Sequence, residues 1–178
     1  MDLVKAARKG RERALLQLFD ENHLPLFRFA YRLTGSVPDA EDIVQECFLA
    51  LLRPECSYDP GRTCVRTYLF GVVRNQCMKR RLKNDFASKD GTDATHDRSP
   101  ESQILRAELE DVVARAVMQL PETQRAVLIL AHYEQMPLAE IARVMVLELG
   151  AVKSRLQRAR ASLREALAAF APGLERKT

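Results

Sequence analysis

The chain has 178 residues, with 28 Lys and Arg against 24 Asp and Glu, a formal charge of +4, and 47% hydrophobic residues. That balance allows one or two small domains with buried cores and excludes a disordered or fibrous chain. No apolar run approaches the roughly 18 residues of a membrane span, and the opening MDLVKAARKGRERALLQLF lacks the apolar core of a secretory signal, so a cytosolic protein without a membrane span is expected. In that compartment Cys47, Cys56, Cys64 and Cys77 are expected to be reduced, buried thiols. Their spacings of 9, 8 and 13 residues hold no CxxC pair, so neither a metal site nor a cofactor is expected. Few Gly and Pro, 6% aromatics and abundant Leu, Ala, Arg and Glu favour an all-α fold.

In chain order, a first helical segment is predicted over residues 2–34, broken near Gly10 and Pro25 and ended by Gly35. A second is predicted over 38–53, with Pro38 early and Asp39, Glu41 and Asp42 at its positive N-terminal end. Its wheel gathers Ile43, Val44, Cys47, Phe48, Ala50 and Leu51 on one arc and Asp39, Asp42, Gln45 and Glu46 opposite. An amphipathic surface helix explains that division. It does not explain Leu49, an apolar residue centred in the acidic patch of a basic protein, which suits a docking surface for a basic partner.

After the loop PECSYDPGR, a third helix is predicted from about Thr63 into Arg74–Lys83, which holds five basic residues and no acid. Tyr58, Tyr68 and Phe70 lie among Arg62, Arg66, Arg74, Asn75, Lys79, Arg80 and Arg81. Aromatic faces beside cations suit a single nucleic-acid strand. Core packing is the expectation for Leu69, Phe70, Val72 and Val73, which leaves Tyr68 and the arginines as the nucleic-acid candidates.

Residues 86–101, FASKDGTDATHDRSPE, read as a linker. The division is therefore residues 1–86, a linker at 87–101, and residues 102–178: two small helical domains on a polar tether. The net charge is +4 over residues 1–86, −2 over 87–105 and +2 over 106–178.

In the C-terminal part, helices are predicted near 102–119, 121–134, 137–145 and 150–169, two of them opened by Pro121 and Pro137. The last two form a helix-turn-helix, with Ala142 and Val152 ten residues apart as the small and branched packing residues. Val152, Leu156, Ala159 and Leu163 share one face within roughly 60° of a helical wheel. The rest of Lys153–Arg164 carries five cations and no acid, where an ordinary solvated face mixes signs. A surface of this kind suits a DNA groove and its phosphates. Val146 stands where such a turn usually has Gly, so either the turn differs or a β-branched residue is held at positive φ under strain.

Taken together, AEDIVQECF, YDPGR, VRTYLFGVVRN, LPETQRAVLIL, LAEIARVM and GAVKSRLQRARASLR, over about residues 15–168, strongly resemble bacterial sigma factors of the extracytoplasmic-function (ECF) group. The resemblance implies a region 2 domain and a region 4 domain that direct RNA polymerase core to promoters. Asp39, Asp42, Gln45, Glu46 and Leu49 would hold the clamp helices of the largest catalytic subunit, and the flap of the second would be a further contact. Tyr58, Asp59 and Arg62 would help capture a base flipped from the −10 element. Arg66, Tyr68, Arg74, Asn75, Lys79 and Arg80 would line the opening duplex. Lys153, Ser154, Arg155, Gln157 and Arg158 would face double-stranded DNA at the −35 element.

This chain has Tyr68 where the family commonly has Trp, and Val73 where it has Ala. Only a few residues follow the last helix, so no fused C-terminal regulatory domain is expected, and the resemblance implies control by a separate anti-sigma protein. A stand-alone helix-turn-helix regulator would account for residues 138–164 but not for the acidic or the aromatic and basic helices. A sensor acting through the four cysteines is a third reading. No catalytic residue is expected, since His23, His96 and His132 have no partner pattern of an active site.

Overall fold

A computed structural model describes residues 3–87 and 111–168. They form eight helices: α1 (Leu3–Arg8), α2 (Glu12–Thr34), α3 (Val37–Leu52), α4 (Val65–Ala87), α5 (111–118), α6 (Glu122–His132), α7 (Leu138–Met145) and α8 (Leu149–Ala168). No strand occurs among the described residues. The expected linker falls almost wholly outside them, since Ala87 ends α4 and residues 88–101 are not described, and of the helix expected over 102–119 only 111–118 is described.

Glycine sets the first two boundaries. Gly10 (φ 77°) separates α1 from α2, and Gly35 (φ 73°) ends α2 with its N–H donating to the Tyr31 carbonyl at 2.7 Å. Ser36 then caps α3, its Oγ accepting from the Asp39 N–H at 3.3 Å. The break expected at Pro25 does not occur, because α2 runs through it. Proline removes one rung of the helical ladder, but buried Leu18, Asn22, Leu26, Phe29 and Leu33 fix the inner face on both sides of that rung.

In the N-terminal half α2 packs on α3 and α4. Its centre is Phe29 edge-on to Phe70 at 5.2 Å, among Leu26, Ile43, Leu51 and Val73. The expected burial holds for Leu69, Phe70 and Val73, whereas Val72 is only half-buried because it borders a cleft described below. In the C-terminal half α6 and α7 pack on α8 through Ile129, Leu130, Ile141, Val144, Val152 and Leu156.

The two halves meet. α2 packs against α6, and α4 against α7. At the centre of the seam Arg125, 4% exposed, donates to the Met118 and Leu120 carbonyls of its own half at 2.6 and 3.1 Å, and to the Leu33 carbonyl of α2 at 3.0 Å. These carbonyls lie at or beside the ends of α5 and α2, where the helix leaves acceptors unsatisfied and favours a cation. Burial lowers the Arg125 pKa from its ordinary value, and Arg81 acts in the same direction.

Candidate nucleic-acid interface

The helix-turn-helix is built as the spacing predicts. Val152, Leu156 and Ala159 are buried and Leu163 is half-buried, so α8 is fixed by one stripe. Lys153, Gln157 and Arg158 stand exposed, with Ser154 and Arg155 half-buried beside them. The turn keeps the left-handed geometry without glycine: Val146 has φ 53° and ψ 51° and is 81% exposed. The Leu147 N–H reaches the Ala142 carbonyl at 2.9 Å, closing the helix end in the way a C-terminal glycine usually permits. The strained alternative is therefore the one adopted.

On α3 the outer face carries exposed Asp42, Gln45, Glu46 and Leu49, the last 52% exposed. Asp39 is half-buried and shares a guanidinium with Asp42, since Arg80 lies 3.1 Å from Asp39 and 3.3 Å from Asp42. Arg80 had been grouped with the DNA candidates and the two aspartates with the polymerase candidates. The structure joins them in one ion-pair cluster. Sequence reasoning also missed the flank of this face, where Phe48, beside Leu49, touches half-exposed Phe19 at 5.3 Å. From Phe19 a ladder of rings runs along α2 through His23, Phe27 and Tyr31 at 4.4, 6.4 and 6.3 Å. Its four-residue spacing was visible in the sequence.

The loop before α4 is organised by Asp59. Its Oδ1 accepts from the Gly61 N–H at 2.9 Å, and its carbonyl accepts from the Arg62 and Thr63 N–H groups at 3.1 and 3.3 Å. Asp59 thus shapes the turn, and exposed Arg62 projects from it. Tyr58 lies 5.2 Å from Tyr68, whose hydroxyl meets the Cys56 thiol at 3.2 Å. Burial, then that contact, raises the Tyr68 pKa, with Ser57 opposing. Arg74 donates to Asn75 at 3.0 Å, and Lys79 is exposed.

The cysteines depart from the expectation of uniform burial. Cys47 and Cys77 are buried, and burial pushes both thiols up to about 12, whereas Cys56 is half-buried and Cys64 is exposed. Position 64 lies in the loop just ahead of α4, where the helical stripe that would have buried it has not begun.

Two candidate sets that the sequence placed in separate parts face each other. A cleft of about 1020 Å³ has Arg62, Tyr68 and Asn75 on one wall and Arg143, Val146 and Arg155 on the other. Beside it, Arg66 is paired with Glu134 at 3.2 Å, and the Thr67 hydroxyl donates to Glu140 at 3.0 Å.

An all-helical chain with a helix-turn-helix bearing a cationic outer face, and an aromatic and basic helix in its other half, is a DNA-binding protein of transcription in its architecture. Comparison with known proteins narrows the class. Residues 18–86 match the sigma-70 region 2 family and residues 110–163 the sigma-70 region 4 family. The ECF RNA polymerase sigma factor SigL of Mycobacterium tuberculosis is 36% identical over 168 residues, covering 92% of this chain and 94% of that protein. SigW of Bacillus subtilis, also an ECF RNA polymerase sigma factor, is 28% identical over 177 residues with the same coverage. Among solved structures, CnrH in complex with the cytosolic domain of CnrY superposes with a TM-score of 0.71 at 28% identity, covering 94% of this chain and 96% of that one. RpoE of Bartonella quintana, in complex with the anti-sigma factor NepR, shares the fold with a TM-score of 0.68 at 23% identity, covering 90% and 97%. The chain belongs to the ECF RNA polymerase sigma factors. No described helix is long and apolar enough to cross a membrane.

Proposed function

We propose that this sigma factor acts in the cytosol, by binding alone and without covalent chemistry, with residues 1–86 as its region 2 unit, 87–101 as linker and 102–178 as its region 4 unit. The observation that carries the reading is the outer face of α8, where Lys153–Arg164 holds five cations and no acid on a helix fixed by Val152, Leu156 and Ala159. Lys153, Ser154, Arg155, Gln157 and Arg158 read the −35 duplex from that face, with the phosphates supplying salt-dependent affinity.

Asp39, Asp42, Gln45, Glu46 and Leu49 dock on the clamp helices of the polymerase, with exposed Leu49 as the apolar anchor and Arg80 holding the two aspartates in place. The flap of the second large subunit contacts the region 4 unit. Asp59 shapes the turn that presents Arg62 and Tyr58 to a base flipped from the −10 element, and Arg66, Tyr68, Arg74, Asn75 and Lys79 follow the melted strand. Unstacking a base costs a few kcal/mol, and stacking on an aromatic ring returns about 1–3 kcal/mol per base. A separate anti-sigma protein, of the kind bound to RpoE of Bartonella quintana, controls when the factor is available.

In vitro transcription by polymerase core on fragmented genomic DNA tests the reading, with start sites mapped in the presence and absence of the protein. Discrete new starts that share two upstream elements are expected. Competent core and folded protein that yield no new start would overturn it in favour of a stand-alone regulator.

A further inference from the structure

The seam between the halves uses residues that the proposed function needs elsewhere. Arg66 stands at the proposed single-strand face, yet its guanidinium is taken by Glu134, whose side chain is only 6% exposed. Thr67, 3% exposed, donates to Glu140 on α7. Arg32 lies over the Tyr133 ring at 4.1 Å, and Arg81 is 3.8 Å from Glu122. Gly71 faces α7 so closely that a Cβ there would stand 3.9 Å from the Val144 carbonyl. The basic side thus belongs to the N-terminal half and the acidic side to the C-terminal half, in a chain whose nucleic-acid faces are basic in both.

A geometric conflict accompanies the chemical one. Elements 25 base pairs apart on a duplex are separated by about 85 Å, while a compact chain of this length has a radius of gyration of about 16 Å. Arg155 of the duplex-reading helix and Tyr68 of the strand-reading helix line a single cleft in this structure. They cannot occupy both elements from there.

We propose that the closed arrangement is an intramolecular mask, in which Glu134 and Glu140 take the place of DNA phosphates on Arg66 and Thr67 and must be displaced before region 2 reads a single strand. The proposal rests on the reading of α4 as a strand-binding face. Arginine pairs carboxylate and phosphate through the same fork of donors, so the substitution is chemically direct. Parting the halves is also feasible at the buried centre of the seam: Arg125 gives up the Leu33 carbonyl and keeps Met118 and Leu120 of its own half. Burial raises the Glu134 carboxyl above its ordinary value against the pull of Arg66, Arg32 and Arg28, so the seam holds a carboxylate that gains by becoming hydrated.

The test uses the full chain carrying Glu134→Ala and Glu140→Ala together, against a control of equal charge, Asp20→Ala with Glu165→Ala, at exposed positions outside the seam. Small-angle scattering reads the radius, and fluorescence anisotropy reads binding to a mixed-sequence single-stranded oligonucleotide. If the seam variant loses helicity, Glu134→Gln with Glu140→Gln replaces it. The seam variant is expected to exceed the compact radius of about 16 Å and to bind the strand about tenfold more tightly than the control, because a masked face binds in proportion to its open fraction. Equal radius and equal, measurable binding in both proteins would overturn the mask and leave the strand-reading face standing. Expansion without any binding by either protein would overturn the mask together with the strand-reading assignment on which it rests.

Discussion

The two halves of this protein carry their function in different ways. In the C-terminal half, everything the duplex would meet lies within one helix, and the 3.6-residue period alone separates the buried stripe from the cationic face. In the N-terminal half, each working group is completed from far along the chain: Asp39 and Asp42 by Arg80, Cys56 by Tyr68, Arg66 by Glu134. A surface borne by one element is readable from periodicity. A surface assembled by packing is readable only once the packing is known.

The sharpest way to break the first kind of site is to remove the residue that seats it. Ile141 is fully buried under the helix-turn-helix, and Ile141→Ala is expected to cost about 2–5 kcal/mol, measured as a lowered melting temperature by circular dichroism, with duplex binding lost in parallel. The second kind should separate stability from function. Leu49 is half-exposed, so Leu49→Ala is expected to leave the melting temperature nearly unchanged while weakening the complex with polymerase core by ~1 kcal/mol, read by titration calorimetry. Equal losses in both measurements would return Leu49 to the core.

Smaller effects sharpen the contrast. Left-handed backbone costs an L-residue about 1–2 kcal/mol, and glycine gives back about 0.5–1 kcal/mol of that in chain entropy. Val146→Gly should therefore raise stability by about 0.5–1 kcal/mol without moving the cationic face, which thermal unfolding and duplex titration would show together. The smallest effect is a pH dependence. Because the folded-state pKa of Glu134 is raised, its contribution to stability is fully present below the ordinary glutamate value of about 4.5 and is lost as pH rises through the raised value. Glu134→Gln should remove that decline, so wild type and variant diverge across this window in denaturant titrations at stepped pH. Parallel curves would show that the carboxylate is better solvated than its burial implies.

Much of the fold was legible because its punctuation is local. Gly10, Gly35, Pro38, Pro121 and Pro137 set most boundaries within a residue or two of the structure, and the strain at Val146 was visible as a missing glycine. Pro25 misled because a proline's local effect says nothing of the tertiary face that holds the helix through it. Arg80 misled because a cation in a basic run was read by its neighbours in sequence, and its true partners lie 41 and 38 residues away. Arg125 drew no attention, since an isolated arginine in an apolar helix has no periodic signature, yet it fastens the ends of two helices. The roles at the candidate site came from family resemblance and from residue chemistry, while the meeting of the two halves had no sequence signal of any kind.

One feature of composition and one of placement combine into a practical property. The chain has no tryptophan and four tyrosines, so its near-ultraviolet emission arises from Tyr31, Tyr58, Tyr68 and Tyr133 alone. Tyr133 lies under the Arg32 guanidinium at 4.1 Å across the seam, and Tyr58 and Tyr68 face each other at 5.2 Å in the loop that presents Arg62. The protein therefore carries its own optical gauges, one at the meeting of its halves and one at its base-capturing loop, with no label to attach.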